Sequence, residues 1–262
     1  MIYPKIPVLL YHSIEKDYFQ NRIDVLDFEK QMTYLKNKNY ISIFTNEIDV
    51  KIKNQIILTF DDGYKDIVTN VLPILKKYNF KAICFIVSNQ IGKNNIWDQN
   101  QKNYQKKELM NESDINEWLN NGMLIGSHTQ NHVDLTKLEG IKLKNEIENS
   151  KKFLEETFAT HVKDFCYPFG KVNSNSYKEV KKVYDNAYTT NRSRYLLNKH
   201  DPFLIPRVDM GKKLNNFKIF LKLKTFYEDI KFSKNETQNT LSKKSFVQRF
   251  LTSIKQKMYG NK

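Results

Sequence analysis

Up to about residue 210, short apolar runs alternate with segments of helical periodicity, and this alternation constrains the fold more than any other feature of the chain. The runs at 6–12 (IPVLLYH), 55–60 (QIILTF), 81–87 (KAICFIV), 123–128 (MLIGSH), 165–169 (FCYPF) and 187–190 (AYTT) read as strands. Continuous apolar runs of this length suit parallel strands covered on both faces. Between them, Phe28, Met32 and Leu35 share one helical face, as do Val68, Leu72 and Leu75, with a kink expected at Pro73. A helix over 114–119 follows a Ser113 cap and stops at Gly122, and a longer one over 138–158 turns Ile141, Ile147 and Leu154 inward. Strands alternating with helices predict βα units around a parallel sheet or barrel. The polar stretch 89–112 reads as a long loop over one end of it.

At 262 residues the chain can bury a sizeable core without staples. Hydrophobic residues make up 40% of it, a globular composition. Cys84 and Cys166 sit in apolar runs and read as buried reduced thiols. No run reaches the ~18 apolar residues of a spanning helix, and the N-terminal run has no small-residue cleavage site. The expectation is a cytoplasmic protein. Its net charge of +14 is concentrated in residues 211–262, which carry 13 Lys and Arg against 3 acidic residues. The expected organisation is therefore a catalytic domain over 1–210 and a basic helical tail over 211–262.

Two motifs carry the chemistry. Thr59-Phe60-Asp61-Asp62-Gly63 ends one apolar run, and side-chain alternation sends its two carboxylates in different directions. A plain Asp-Gly turn reads equally well from this stretch alone. Ser127-His128-Thr129-Gln130-Asn131-His132 ends a second run, in a chain with 5 histidines. Two histidines four apart converge on one ion if the backbone between them makes a helical turn. With one carboxylate they form a three-ligand set, the pattern of catalytic zinc, though cobalt, nickel and iron accept the same donors.

Together, TFDDG and HTQNH resemble the motifs of the polysaccharide deacetylases, carbohydrate esterase family four, over about residues 5–210. The resemblance implies a distorted (β/α) barrel in the α/β class. It also implies one divalent metal ion, zinc first, held by Asp62, His128 and His132, with Asp61 as catalytic base. A third family motif corresponds to Cys166-Tyr167-Pro168-Phe169-Gly170, which implies substrate contacts from Tyr167, Pro168 and Phe169 and an oxyanion donor in the Phe169 N–H. Cys166 departs from the family pattern, which has an Arg there to orient the base.

The stretches Pro7–Ile14 (PVLLYHSI), Ala187–Asn191 (AYTTN) and Ile205–Val208 (IPRV) are similar to the poly-N-acetylglucosamine de-N-acetylase branch. That likeness implies His12 as general acid and offers Arg207 as the charge missing at position 166. The activity implied is removal of N-acetyl groups from N-acetylhexosamine units of a polysaccharide or lipid-linked saccharide. Competing readings are an O-acetyl esterase or deformylase on a small or lipid-linked sugar, and a catalytically impaired glycan binder. Trp97 reads as a sugar platform or a loop cover, Trp118 as core, and His161 and His200 as surface residues.

In the tail, Ile219, Phe220, Leu223, Phe226, Tyr227 and Ile230 fall on one helical face, with Lys218 and Lys222 off it. A second stripe, Phe246, Phe250, Ile254 and Met258, follows a Ser245…Gln248 capping box. Either both helices pack on the barrel, or they lie on an anionic membrane at the inner face. Nothing in the catalytic body calls for nucleic acid.

Overall fold

The structure is a computed structural model that describes residues 5–16, 23–102, 104–211, 213–225 and 227–228. Its strands are β1 (Lys5–Ile6), β2 (Val8–Tyr11), β3 (Ile41–Ser42), β4 (Gln55–Phe60), β5 (Ile83–Ile86), β6 (Leu124–Ser127), β7 (Asp164–Cys166), β8 (Asn186–Arg192), β9 (Tyr195–Leu196) and β10 (Ile205–Asp209). Its helices are α1 (Val25–Asn37), α2 (Leu72–Tyr78), α3 (Glu112–Asn120), α4 (Gly140–Phe158), α5 (Ser174–Val183) and α6 (Asn216–Lys224).

Seven parallel strands close into a barrel in the order β2, β10, β8, β7, β6, β5, β4, with β4 pairing back to β2. Each strand buries both faces, as its apolar run requires. Ile57 points into the barrel with Val8, Ile83, Phe85, Tyr188 and Ile205. Ile56, Leu58 and Phe60 point out, under the helices, with Leu9, Phe28, Met32 and Leu35. Each such side chain taken fully from water stabilises by roughly 1.5–3 kcal/mol. Trp118 is wholly buried and its Nε1 donates to the Leu124 carbonyl at 2.8 Å.

Two local expectations are corrected. The α3 cap is Asn111, not Ser113, because Asn111 and Asp114 exchange side-chain and backbone hydrogen bonds in a capping box. Ile141 is 67% exposed, and Leu143, Ile147 and Leu154 make the inward stripe of α4 instead. At Pro73, where a kink is expected, a π-helical turn over Ile67–Val71 passes into α2, whose first turn holds the proline.

The core continues past residue 210. Ile219 and Leu223 of α6 join the apolar layer around the barrel, while Phe220 is 45% exposed and Lys222 is buried. Phe226 and Ile230, and the second stripe with its capping pair, lie outside the described residues. Among the described residues no helix is long and apolar enough to cross a membrane.

Candidate active site

The two carboxylates stand at the C-terminal end of β4. Asp61 keeps the inward parity of Ile57 and Thr59, and its N–H donates to the Tyr11 carbonyl of β2 at 3.0 Å. At Asp62 the backbone turns left-handed, with φ of 76°, and this turn sends the second carboxylate away from the first.

Arg207, on β10 and 1% exposed, grips Asp61 with both ends of its guanidinium: Nη1 to Oδ1 and Nη2 to Oδ2, each at 2.7 Å. Its Nε donates to the Thr189 carbonyl at 2.9 Å and Nη1 to Thr59 Oγ1 at 3.2 Å. Cys166, at the position where the family has Arg, packs its sulfur 3.2 Å from Nη2. Burial pushes the Asp61 carboxyl up, but the charge and hydrogen bonds of Arg207, helped by His12 and His128, bring it below the usual range. His12 follows β2, and its Nε2 is 3.9 Å from Asp61 Oδ2.

Asp62 meets the two histidines. Its Oδ1 is 3.5 Å from His128 Nε2 and 3.2 Å from His132 Nε2, and all three residues are buried. Convergence does not use a right-handed helical turn. Thr129 and His132 are both left-handed, with φ of 68° and 54°, and Thr129 Oγ1 accepts from the His132 N–H at 2.9 Å.

Glu146 on α4 holds the outside of this turn. It accepts from the Gln130 and Asn131 backbone N–H groups at 3.0 Å and from Asn131 Nδ2 at 2.6 Å. Sequence reasoning missed it. The signal was a carboxylate on the apolar stripe between Leu143 and Ile147.

The donor set fits a cation. A carbonyl oxygen can only accept, so the 2.7 Å contact between His128 Nδ1 and the Cys166 carbonyl puts the ring proton on Nδ1. Nε2 then carries a lone pair and faces a carboxylate oxygen that is buried and has no hydrogen-bond partner. Acceptors gathered in this way require a positive charge among them. The three donor atoms lie within 4.8 Å of one another. Asp61, His128 and Cys166 are equally close together, but the Arg207 guanidinium already supplies the positive charge there.

These groups open into a cavity of about 640 Å³ that includes His12, Tyr167, Phe169, Trp97 and Lys107 in its lining. Trp97 stacks on the His132 ring at 4.5 Å, and Phe169 meets the same ring edge-on at 4.8 Å. Phe169 is itself left-handed, with φ of 59°. The next residue must be glycine, since a Cβ on Gly170 would lie 2.0 Å from Thr190 Oγ1. Of the three expected substrate contacts, Tyr167 and Phe169 line the cavity, whereas Pro168 is buried and does not. Stretch 89–112 is tied down beside the site by Lys107, which pairs with Asp66 at 2.6 Å and Glu15 at 2.9 Å.

The sequence matches the family model described as polysaccharide deacetylase over residues 49–185, just over half of the chain. The chain belongs to the polysaccharide deacetylase family. One curated relative is YxkH of Bacillus subtilis (strain 168), classed with the polysaccharide deacetylases. It is 29% identical over 194 residues, covering 71% of this chain and 64% of its own length. Another is the poly-beta-1,6-N-acetyl-D-glucosamine N-deacetylase of Staphylococcus aureus (strain MRSA252), 23% identical over 190 residues, 67% of this chain and 63% of that protein. The chain thus spans a little under two thirds of the length of these relatives. Among solved structures, a polysaccharide deacetylase from Bacillus cereus superposes with a TM-score of 0.74 at 25% identity, covering 85% of this chain and 70% of that one.

Proposed function

We propose that this chain is a metal-dependent hydrolase that removes N-acetyl groups from N-acetylhexosamine units of a polysaccharide or lipid-linked saccharide. The observation that carries this reading is the buried, partnerless Asp62 Oδ1 facing two imidazole nitrogens at 3.2 and 3.5 Å. Asp62, His128 and His132 would hold one divalent ion, zinc first, with cobalt, nickel and iron as alternatives. When bound, such an ion polarises the acetamide carbonyl and acidifies water.

The chain's own groups do the rest. Asp61, kept ionised and oriented by Arg207, takes the proton of the attacking water. The Phe169 N–H donates to the carbonyl oxygen as it gains charge. His12 gives its proton to the sugar nitrogen as the carbon–nitrogen bond breaks, because an amine leaves poorly unless protonated. The products are acetate and a free amino sugar. The S. aureus relative, an N-deacetylase of a poly-N-acetylglucosamine by name, supports this substrate class.

Mass spectrometry of N-acetylglucosamine oligomers, incubated with the protein and each of the four ions, tests the reading. Stepwise loss of acetyl groups that stops on chelation is the expected result. Intact oligomers with every ion would refute it.

A further inference from the structure

Arg192 and Asp209 stand where the cavity opens, at the ends of β8 and β10. Their side chains are 31% and 36% exposed, against 3% and 8% for Asp61 and Asp62 deeper in. Arg192 Nη2 reaches Asp209 Oδ2 at 2.9 Å. Behind them lies an ion pair that the chemistry at Asp61 does not use: Lys222 of α6 with Glu228, side chains 9% and 2% exposed. Lys222 Nζ also donates to the Asp209 backbone carbonyl at 2.8 Å. Glu228 Oε2, buried and without a hydrogen-bond partner, lies 4.0 Å from Arg192 Nη1. Burying two charges carries a desolvation penalty that their attraction barely offsets, so a pair in this position weighs poorly as a stability device alone. Both of its members end on the two residues that line the mouth of the cavity.

We propose that Arg192 contacts the sugar unit next to the one being deacetylated, and that Lys222 and Glu228 are positioning residues that fix Arg192 and Asp209 there. The segment following the barrel is then part of the saccharide site. This inference rests on the hydrolase reading above. A guanidinium braced between two carboxylates has its charge largely offset. It suits the hydroxyl and ring oxygens of a neutral hexosamine better than an anionic sugar.

Steady-state kinetics on an N-acetylglucosamine pentamer tests it. Arg192→Gln raises KM about tenfold and changes kcat far less, as expected for losing one charge-assisted hydrogen bond made equally in the ground and transition states. Glu228→Gln raises KM in the same direction by a smaller factor. The double variant is no worse than Arg192→Gln, because Glu228 acts through Arg192. Additive KM effects, unchanged KM in both single variants, or a fall in kcat that tracks a lower melting temperature would each overturn the inference. Divalent-ion binding and turnover of a small acetyl ester by the natural chain are measured alongside. If both are missing, the hydrolase reading falls and takes this inference with it. If both are present and the pentamer is turned over while the KM values stay flat, this inference falls by itself; a pentamer left intact takes the hydrolase reading with it.

Discussion

Asp61 and Asp164 are buried carboxylates at opposite ends of one barrel, 2% and 6% exposed, and they stay buried on different terms. Asp61, at the C-terminal end of β4, has a guanidinium across both oxygens and sits below the ordinary carboxyl range. Asp164, at the start of β7, has neutral partners: the Tyr188 hydroxyl at 3.0 Å and Asn186 Nδ2 at 3.2 Å. Burial pushes it up to about 6, against those two hydrogen bonds. A full counter-charge keeps a carboxylate ionised in the interior, whereas neutral donors offset part of the desolvation. The counter-charge went to the end of the barrel that carries the proposed chemistry.

The largest expected effect is at the charged end. Asp61→Asn removes the proposed base while keeping its shape, and turnover falls on the order of a thousandfold. Divalent-ion affinity, read by calorimetry, stays within a few-fold, since Asp62, His128 and His132 are untouched. Loss of the ion along with activity would mean that the two carboxylates do not divide their roles.

At the other end the effect is on stability. A raised folded-state pKa means that the native protein binds this proton more tightly than the unfolded chain. Asp164 therefore lowers stability as pH rises from 3.8 to about 6, and the penalty is constant above that. Asp61 runs the opposite way, contributing stability above the ordinary carboxyl value that is lost as pH falls. Asp164→Asn removes the first trend. Across that interval its stability relative to the natural chain should improve by up to ~3 kcal/mol, because each tenfold change in proton affinity corresponds to about 1.4 kcal/mol. Urea unfolding at several pH values measures this, and parallel stability curves for the two proteins would contradict it.

Arg207→Lys keeps a positive charge and loses the fork. Turnover should drop about a hundredfold, because a point charge cannot hold both oxygens of Asp61. A smaller loss would show that charge, not orientation, is what Asp61 needs. The mildest change is Glu146→Gln, which disturbs the turn carrying His132 without touching a proposed ligand. Ion affinity should weaken by about ten- to a hundredfold, the usual size for such supporting contacts, and unchanged affinity would leave the turn held by Thr129 alone.

The barrel was legible in the sequence because parallel strands covered on both faces must be continuous apolar runs, and six of the seven read as such. β10 did not. Its five residues, IPRVD, hold Pro206, Arg207 and Asp209, and that composition hides a strand whose function is to carry a charge into the interior. Arg207 entered through family resemblance, and neither it nor His12 lies within residues 49–185, where the family model matches. The histidine spacing was legible, but not the left-handed backbone at Thr129 and His132, since a β-branched threonine rarely adopts that conformation and a histidine adopts it too seldom to announce it. Glu146 and Lys222 are charged residues on otherwise apolar helical stripes. That pattern looks like interrupted amphipathicity until the partners on another element are known.

The order of the strands has a consequence for biosynthesis. β10 closes the barrel between β8 and β2, and it is the last of the seven to leave the ribosome. Asp61 emerges with the second of the seven strands, and its counter-charge follows some 146 residues later. Until then, closing the barrel over Asp61 would bury a naked carboxylate, which is strongly unfavourable. Closure and neutralisation are therefore one event. A nascent chain that ends before residue 205 keeps an open seam and an unprotected edge, and the counter-charge of Asp61 and the closure of the barrel arrive with the same strand.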